Sequence, residues 1–191
     1  MLEFIYAFLL ALFENITPMN KKCYPEDFGF KIPKPITQYL KNNLIINNNL
    51  ALVNSFIQLG LIFYIIIQFI YNNTTLLYKS LILLTYRQIC GFITKMPIPN
   101  DFKELESKQD IPHKNHKFFF HYSGHTFILV LVALDMITRY NKDKTTLIIT
   151  FTTLYILQTL RLLATRGHYS IDISNATVLA YLVHYNNFLN F

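Results

Sequence analysis

Residues 50–70 read LALVNSFIQLGLIFYIIIQFI, a run without charge that as a helix spans roughly 30 Å, the thickness of a bilayer's hydrocarbon core. Four more apolar runs follow. Residues 74–94 hold Lys79 and Arg87, 118–138 hold His121, His125 and Asp135, 145–163 hold Arg161, and 169–189 hold Asp172 and His184. Residues 2–13 are a sixth candidate, short for a span and of a length that also suits the core of a signal peptide. The usual basic start of a signal peptide is missing, since Glu3 is the sole charge before Phe13, so a retained first helix is favoured. The runs predict an all-α fold, a polytopic membrane helix bundle of about six transmembrane helices.

Composition agrees. Hydrophobic residues make up 52% of the chain, charged residues 15%, and mean hydropathy is +0.29, against about 25% charged in soluble domains. The length of 191 residues leaves room for a single membrane domain over residues 1–191, without an internal repeat. A net charge of +6 and a pI near 9.2 point to anionic lipid headgroups rather than nucleic acid, because no stripe of alternating basic and aromatic residues appears. Cys23 and Cys90 have no metal-ligand spacing and do not fix the redox compartment. The asparagine-rich tract at 42–49 reads as loop filler.

Chemistry concentrates in two clusters, His121-Tyr122-Ser123-Gly124-His125-Thr126 and Arg166-Gly167-His168-Tyr169-Ser170-Ile171-Asp172. Ionisable groups at membrane depth cost roughly 2.5 kcal/mol or more each at a helix centre, so a chain that keeps several uses them. Strict alternation of the spans puts four segments on one face: the connector 20–49, the turn at Met96 to Pro99, the Ser123-Gly124-His125 segment and the Gly167-His168 junction. The two clusters then form one active site. His168 and Asp172 are four apart, one helical turn, where a carboxylate orients an imidazole and favours its charged form. Gly124 and Gly167 let backbone approach a phosphate, helix starts offer N–H groups to an anion, and Arg166 adds a fork of donors. Arg87 and Arg161, near the same face, can close a cationic ring or reach to headgroups. Asp135 and His184 read as structural or interfacial. His113, His116, His121 and His125 invite a metal, but no cysteine or close acidic third ligand accompanies them, so no metal is expected.

These residues carry a resemblance. Ser123-Gly124-His125-Thr126 and His168-Tyr169-Ser170-Ile171-Asp172 resemble two signatures of the sphingomyelin synthase family, within the type 2 phosphatidic acid phosphatase superfamily. Arg87 followed by Met96-Pro97-Ile98-Pro99 is similar to the family's third-helix exit, and Tyr24 to Phe30 with Pro33 and Pro35 is similar to its connector. The likeness covers about residues 24–180. It implies a six-helix enzyme, with its catalytic part at about 80–180, that moves a phospho-headgroup between lipids without cofactor or metal, through a phosphohistidine. Carried over by position, His168 is the nucleophile, Asp172 orients it, and His125 protonates the leaving oxygen and then deprotonates the incoming hydroxyl. Arg166, Arg87, Ser123 and Gly124 would hold the phosphate, with Tyr122 and Tyr169 as candidates for the headgroup's cation.

The implied partners are a phospholipid donor and a lipid hydroxyl acceptor in the membrane, with no nucleic acid. The customary Cys-Gly-Asp lead-in is replaced by Phe118 to His121. Phosphatidylcholine:diacylglycerol cholinephosphotransferases share a similar pattern, so the acceptor is ceramide or diacylglycerol. A lipid phosphatase with water as acceptor and a non-catalytic membrane protein are the alternatives. The resemblance implies a Golgi, endoplasmic reticulum or plasma membrane protein with a lumenal or exoplasmic site, whereas the lysines in the loops of that face would by the positive-inside rule put it in the cytosol.

Overall fold

The computed structural model of the chain describes residues 27–93, 95–96, 98–99, 102–110, 119–120 and 122–186. After a 3₁₀ turn at Phe28–Phe30 come seven helices: α1 (Lys34–Asn42), α2 (Leu44–Ile70), α3 (Thr74–Ile93), the single-turn α4 (Phe102–Leu105), α5 (Gly124–Arg139), α6 (Lys144–Ala164) and α7 (Ser170–Tyr185). A two-residue antiparallel bridge joins Lys95–Met96 to Phe119–Phe120. The all-helical expectation is met. Two helices, α2 and α6, are long and apolar enough to cross a membrane by length and composition. The others fall short of that measure: α3 carries Lys79 and Arg87, while α5 and α7 have 16 residues each. The candidate at 2–13 lies outside the described residues, as do His113, His116 and His121.

Helix α5 is the axis, packed against α7, α6, α2 and α3. Its apolar positions Phe127, Leu131 and Val132 are fully buried and share one core cluster with Ala176 and Ala180 of α7. Those alanines, one turn apart, let the two backbones come close. Between helices in lipid, such van der Waals fit replaces the hydrophobic drive of a soluble core.

The first half of α2 buries polar residues, whereas Leu61 and Ile65 of its second half join the apolar core. Asn47, Asn54, Ser55 and Gln58 are buried on one stripe, while Phe56, Phe63 and Ile66 are exposed. In water that arrangement would be costly; against hydrocarbon it is favourable. This overturns the loop reading of the tract at 42–49, because α2 already begins at Leu44 and Asn47 donates from Nδ2 to the Leu105 carbonyl at 2.8 Å. Asparagines at helical spacing had a partner to face. Ser55 Oγ likewise donates to the Gln109 carbonyl at 2.6 Å, and Lys41 of α1 pairs with Glu104 at 2.8 Å. Together these contacts strap residues 102–110 across one end of the bundle.

The other end is locked differently. Asp135 accepts from the Tyr64 hydroxyl at 2.8 Å and from Arg139 Nε at 2.7 Å, and Lys79 Nζ donates to the His184 carbonyl at 2.6 Å. Asp135 and His184 thus have the structural surroundings expected of them. Asn72, at φ 61°, turns α2 into α3, using the left-handed conformation that asparagine tolerates.

Candidate active site

Two helix starts meet under the strap. Ser123 caps α5: its Oγ accepts the Thr126 N–H at 3.4 Å and the Thr126 hydroxyl at 3.0 Å. The Ser123 N–H donates to the Asp172 carbonyl at 3.3 Å, which ties the start of α5 to the first turn of α7. Two of the four segments predicted to share a face, Ser123-Gly124-His125 and the stretch that follows Gly167, are thus adjacent.

Before α7, helix α6 closes in a Schellman motif. The Gly167 N–H donates to the Leu162 carbonyl at 2.9 Å and the Arg166 N–H to the Leu163 carbonyl at 3.2 Å. The left-handed residue is Arg166, at φ 57°, and not the neighbouring glycine. That conformation costs a side-chain-bearing residue roughly 1 kcal/mol. Arg166 offsets it by donating from Nη1 to the Phe30 carbonyl at 3.0 Å and stacking its guanidinium 4.3 Å above the Phe30 ring.

The chain then delivers His168 and Asp172. Oδ2 of Asp172 accepts the Tyr169 N–H at 3.0 Å and lies 3.3 Å from His168 Nδ1. Asp172 is fully buried, and its Oδ1 has no hydrogen-bond partner. A carboxylate in the first turn of α7 is favoured by the helix dipole, and at this distance it orients the imidazole ring beside it. Asp27 fixes the same helix start from outside, taking the Ser170 N–H on Oδ2 at 2.5 Å and the Ser170 hydroxyl on Oδ1 at 2.6 Å. Gly29 is needed for that approach, because a Cβ there would stand 2.8 Å from Ser170 Cβ.

A cavity of about 440 Å³ lies in front of these groups, lined by His125 and Gly124 of α5, His168 and Gly167 of the α6–α7 junction, Arg87 of α3 and Arg161 of α6. Arg87 lies along the start of α5, its Nε donating to the Tyr122 carbonyl at 3.1 Å and 3.5 Å from where a Gly124 Cβ would be. The opposite wall is apolar: Leu59, Ile62 and Ile66 of α2 with Leu81 and Leu84 of α3. Four of these, Leu59, Ile62, Ile66 and Leu84, are exposed. Residues of the strap, including Glu106 and Asp110, complete the polar end.

The structure thus brings His125, His168, Arg87 and Gly124 to one cavity, with Asp172 behind His168. It does not bring Ser123, Tyr122, Tyr169 or Arg166 to the cavity wall. Ser123 is a buried cap; Tyr122 stacks on Phe127 at 5.4 Å; Tyr169 packs on Phe30 at 5.2 Å; Arg166 turns to Phe30. Arg161, seven residues before His168, supplies the cation at the wall instead. Three contributors carried no assigned role in the sequence: Asp27, Asp110 and Gln58, whose Nε2 lies 3.5 Å from the His125 carbonyl. Their partners are 143, 51 and 67 residues away in the chain, beyond any local pattern. Among the described residues no group of three or more His, Cys, Asp and Glu is placed to hold a metal.

The family model described as AtPDCT1/2 matches residues 26–186. Phosphatidylcholine:diacylglycerol cholinephosphotransferase 1 of Arabidopsis thaliana is 32% identical over 168 residues, which is 87% of this chain and 54% of that protein. Phosphatidylcholine:diacylglycerol cholinephosphotransferase 2 of the same plant is 41% identical over 95 residues, 50% of this chain and 30% of that protein. The chain spans about half the length of the first of these relatives. No solved structure matches it.

Proposed function

The chain belongs to the AtPDCT1/2 family, and from that premise we propose that it is a multi-pass membrane phosphotransferase that carries phosphocholine from phosphatidylcholine to the hydroxyl of a diacylglycerol. The observation that carries this reading is the pairing of His168 with buried Asp172 on a cavity shared with His125, Arg87 and Arg161. The apolar wall between α2 and α3 suits a lipid whose acyl chains stay in the bilayer while its polar end enters. The relatives named above, whose names specify phosphatidylcholine and diacylglycerol, favour diacylglycerol over ceramide as acceptor.

In this mechanism the Asp172 carboxylate holds Nδ1, which makes Nε2 the attacking nitrogen of His168. Nε2 bonds to phosphorus, the bond from phosphorus to the glyceryl oxygen breaks with its electron pair on oxygen, and His125 gives that oxygen a proton. The departing diacylglycerol is replaced by another. Its hydroxyl then loses a proton to His125 and bonds to phosphorus, and the phosphorus–nitrogen bond returns its electrons to His168. Arg87, Arg161 and the first-turn N–H groups of α5 offset the charge on the phosphoryl oxygens. Donor and product are both phosphatidylcholines, so the net reaction exchanges headgroups between diacylglycerol backbones with little free-energy change.

The test is reconstitution of the purified chain with choline-labelled phosphatidylcholine of one acyl composition and diacylglycerol of another, with ceramide in a parallel arm. Label should move to phosphatidylcholine bearing the second acyl set. Release of free phosphocholine as the main product with saturating acceptor would instead establish a hydrolase, and label in ceramide would change the acceptor.

A further inference from the structure

We propose that Asp110 occupies one half of the phosphate-binding edge of Arg161 at rest, and that the phosphate of the lipid donor displaces it; the inference rests on the lipid-phosphate reading of the cavity. Arg161 Nη2 donates to Asp110 Oδ2 at 2.5 Å. Nε, on the same edge of the guanidinium, is buried without a partner, and the side chain is only 10% exposed. That edge is a fork of two N–H donors that matches two oxygens of one phosphate. A single carboxylate oxygen therefore fills half of the fork and leaves a costly unmatched donor. A phosphodiester would fill both.

The surroundings are arranged for the exchange. Asp110 and Arg161 both line the cavity that holds His125, His168 and Arg87. Without a counter-ion, Arg161 would be an unpaired charge in a poorly hydrated place, which a nearby acid prevents. The carboxylate and a phosphodiester each carry one negative charge, so exchanging them leaves the cavity's net charge unchanged. The Asp110 side chain is 30% exposed and sits on the strap rather than on a helix of the bundle, and Asn54 Nδ2 reaches its Oδ1 only at a long 3.4 Å. Of the two charges, the acid is the one less firmly held.

The experiment measures binding rather than turnover. Purified full-length chain in detergent is titrated with phosphocholine, and binding is followed by ³¹P NMR, for wild type, Asp110→Asn, Asp110→Ser and the Arg161→Lys versions of each. Removal of the competing anion should tighten phosphocholine binding about 10-fold in both Asp110 variants, and Arg161→Lys should erase that gain. Unchanged or weaker binding in Asp110→Asn and Asp110→Ser would overturn the proposal, as would loss of folding in both, which would mark Asp110 as a structural partner. If both variants bind more tightly but no label moves between lipids, the transfer reading fails while the exchange stands. If transfer proceeds and binding does not tighten, the reverse holds.

Discussion

Asp172 divides one carboxylate oxygen between the Tyr169 N–H at 3.0 Å and His168 Nδ1 at 3.3 Å. The same atom thus starts a helix and aims a histidine, so the orientation of the ring is inherited from the cap. His168→Ala should leave less than about a thousandth of the transfer activity, since loss of a nucleophile costs several powers of ten. Asp172→Asn should cost less, because an amide oxygen can still accept from Nδ1. Quenching with labelled phosphatidylcholine and mapping the modified peptide should place phosphocholine on residue 168; undiminished turnover in His168→Ala removes the mechanism.

Arg161 and Arg166 should separate cleanly. Arg161 lines the cavity, whereas Arg166 lies on Phe30 and closes α6. Arg161→Ala should lower kcat at least about 100-fold, the scale for losing a donor to developing charge. Arg166→Gly relieves the left-handed conformation and gives up the stack, so it should change the melting temperature more than kcat. An equal or larger kcat loss in Arg166→Gly would move the phosphate site to Arg166.

Two glycines make opposite predictions. A Cβ at Gly29 would stand 2.8 Å from Ser170 Cβ and 3.0 Å from Asp27 Oδ1, whereas one at Gly124 would meet Arg87 Nε at an ordinary 3.5 Å. Gly29→Ala should therefore push the start of α7 away from Asp27 and destabilise the protein by about 1–3 kcal/mol, the usual cost of overpacking. Gly124→Ala should fold with wild-type stability. Thermal unfolding in detergent reads both, and a stable Gly29→Ala would show that the connector yields.

Asp27→Ala should uncap α7, leaving the Ser170 N–H and hydroxyl without their acceptor. Loss of a cap costs about 0.5–2 kcal/mol. Activity should fall with it, because His168 stands just before that helix start, and Asp27→Asn should restore part of both. Normal activity in Asp27→Ala would show that His168 is held without the clamp.

Chelators should leave transfer intact, since every group in the proposed chemistry is supplied by the protein's own side chains and backbone. Inhibition by EDTA that one divalent ion reverses would revive a metal at His121 and His125, the pair that sits four apart in the sequence.

Local spacing determined the parts of this site that lie within a helical turn. His168 and Asp172 are four apart and meet, although α7 begins only at Ser170, so that Asp172 reaches back across the Tyr169 cap to His168; and the order of the apolar runs already placed His125 and His168 at the same end of the bundle. The tertiary structure decided which cation reaches the cavity. Arg166 is closer to His168, but the chain reverses at that residue and turns its side chain to Phe30, leaving the wall to Arg161. It also decided that Asn47 is part of a buried seam rather than of a loop, and that Asp110 meets Arg161 from 51 residues away. A helix has several faces, and its sequence does not say which of them another segment will cover; that depends on packing between distant parts of the chain.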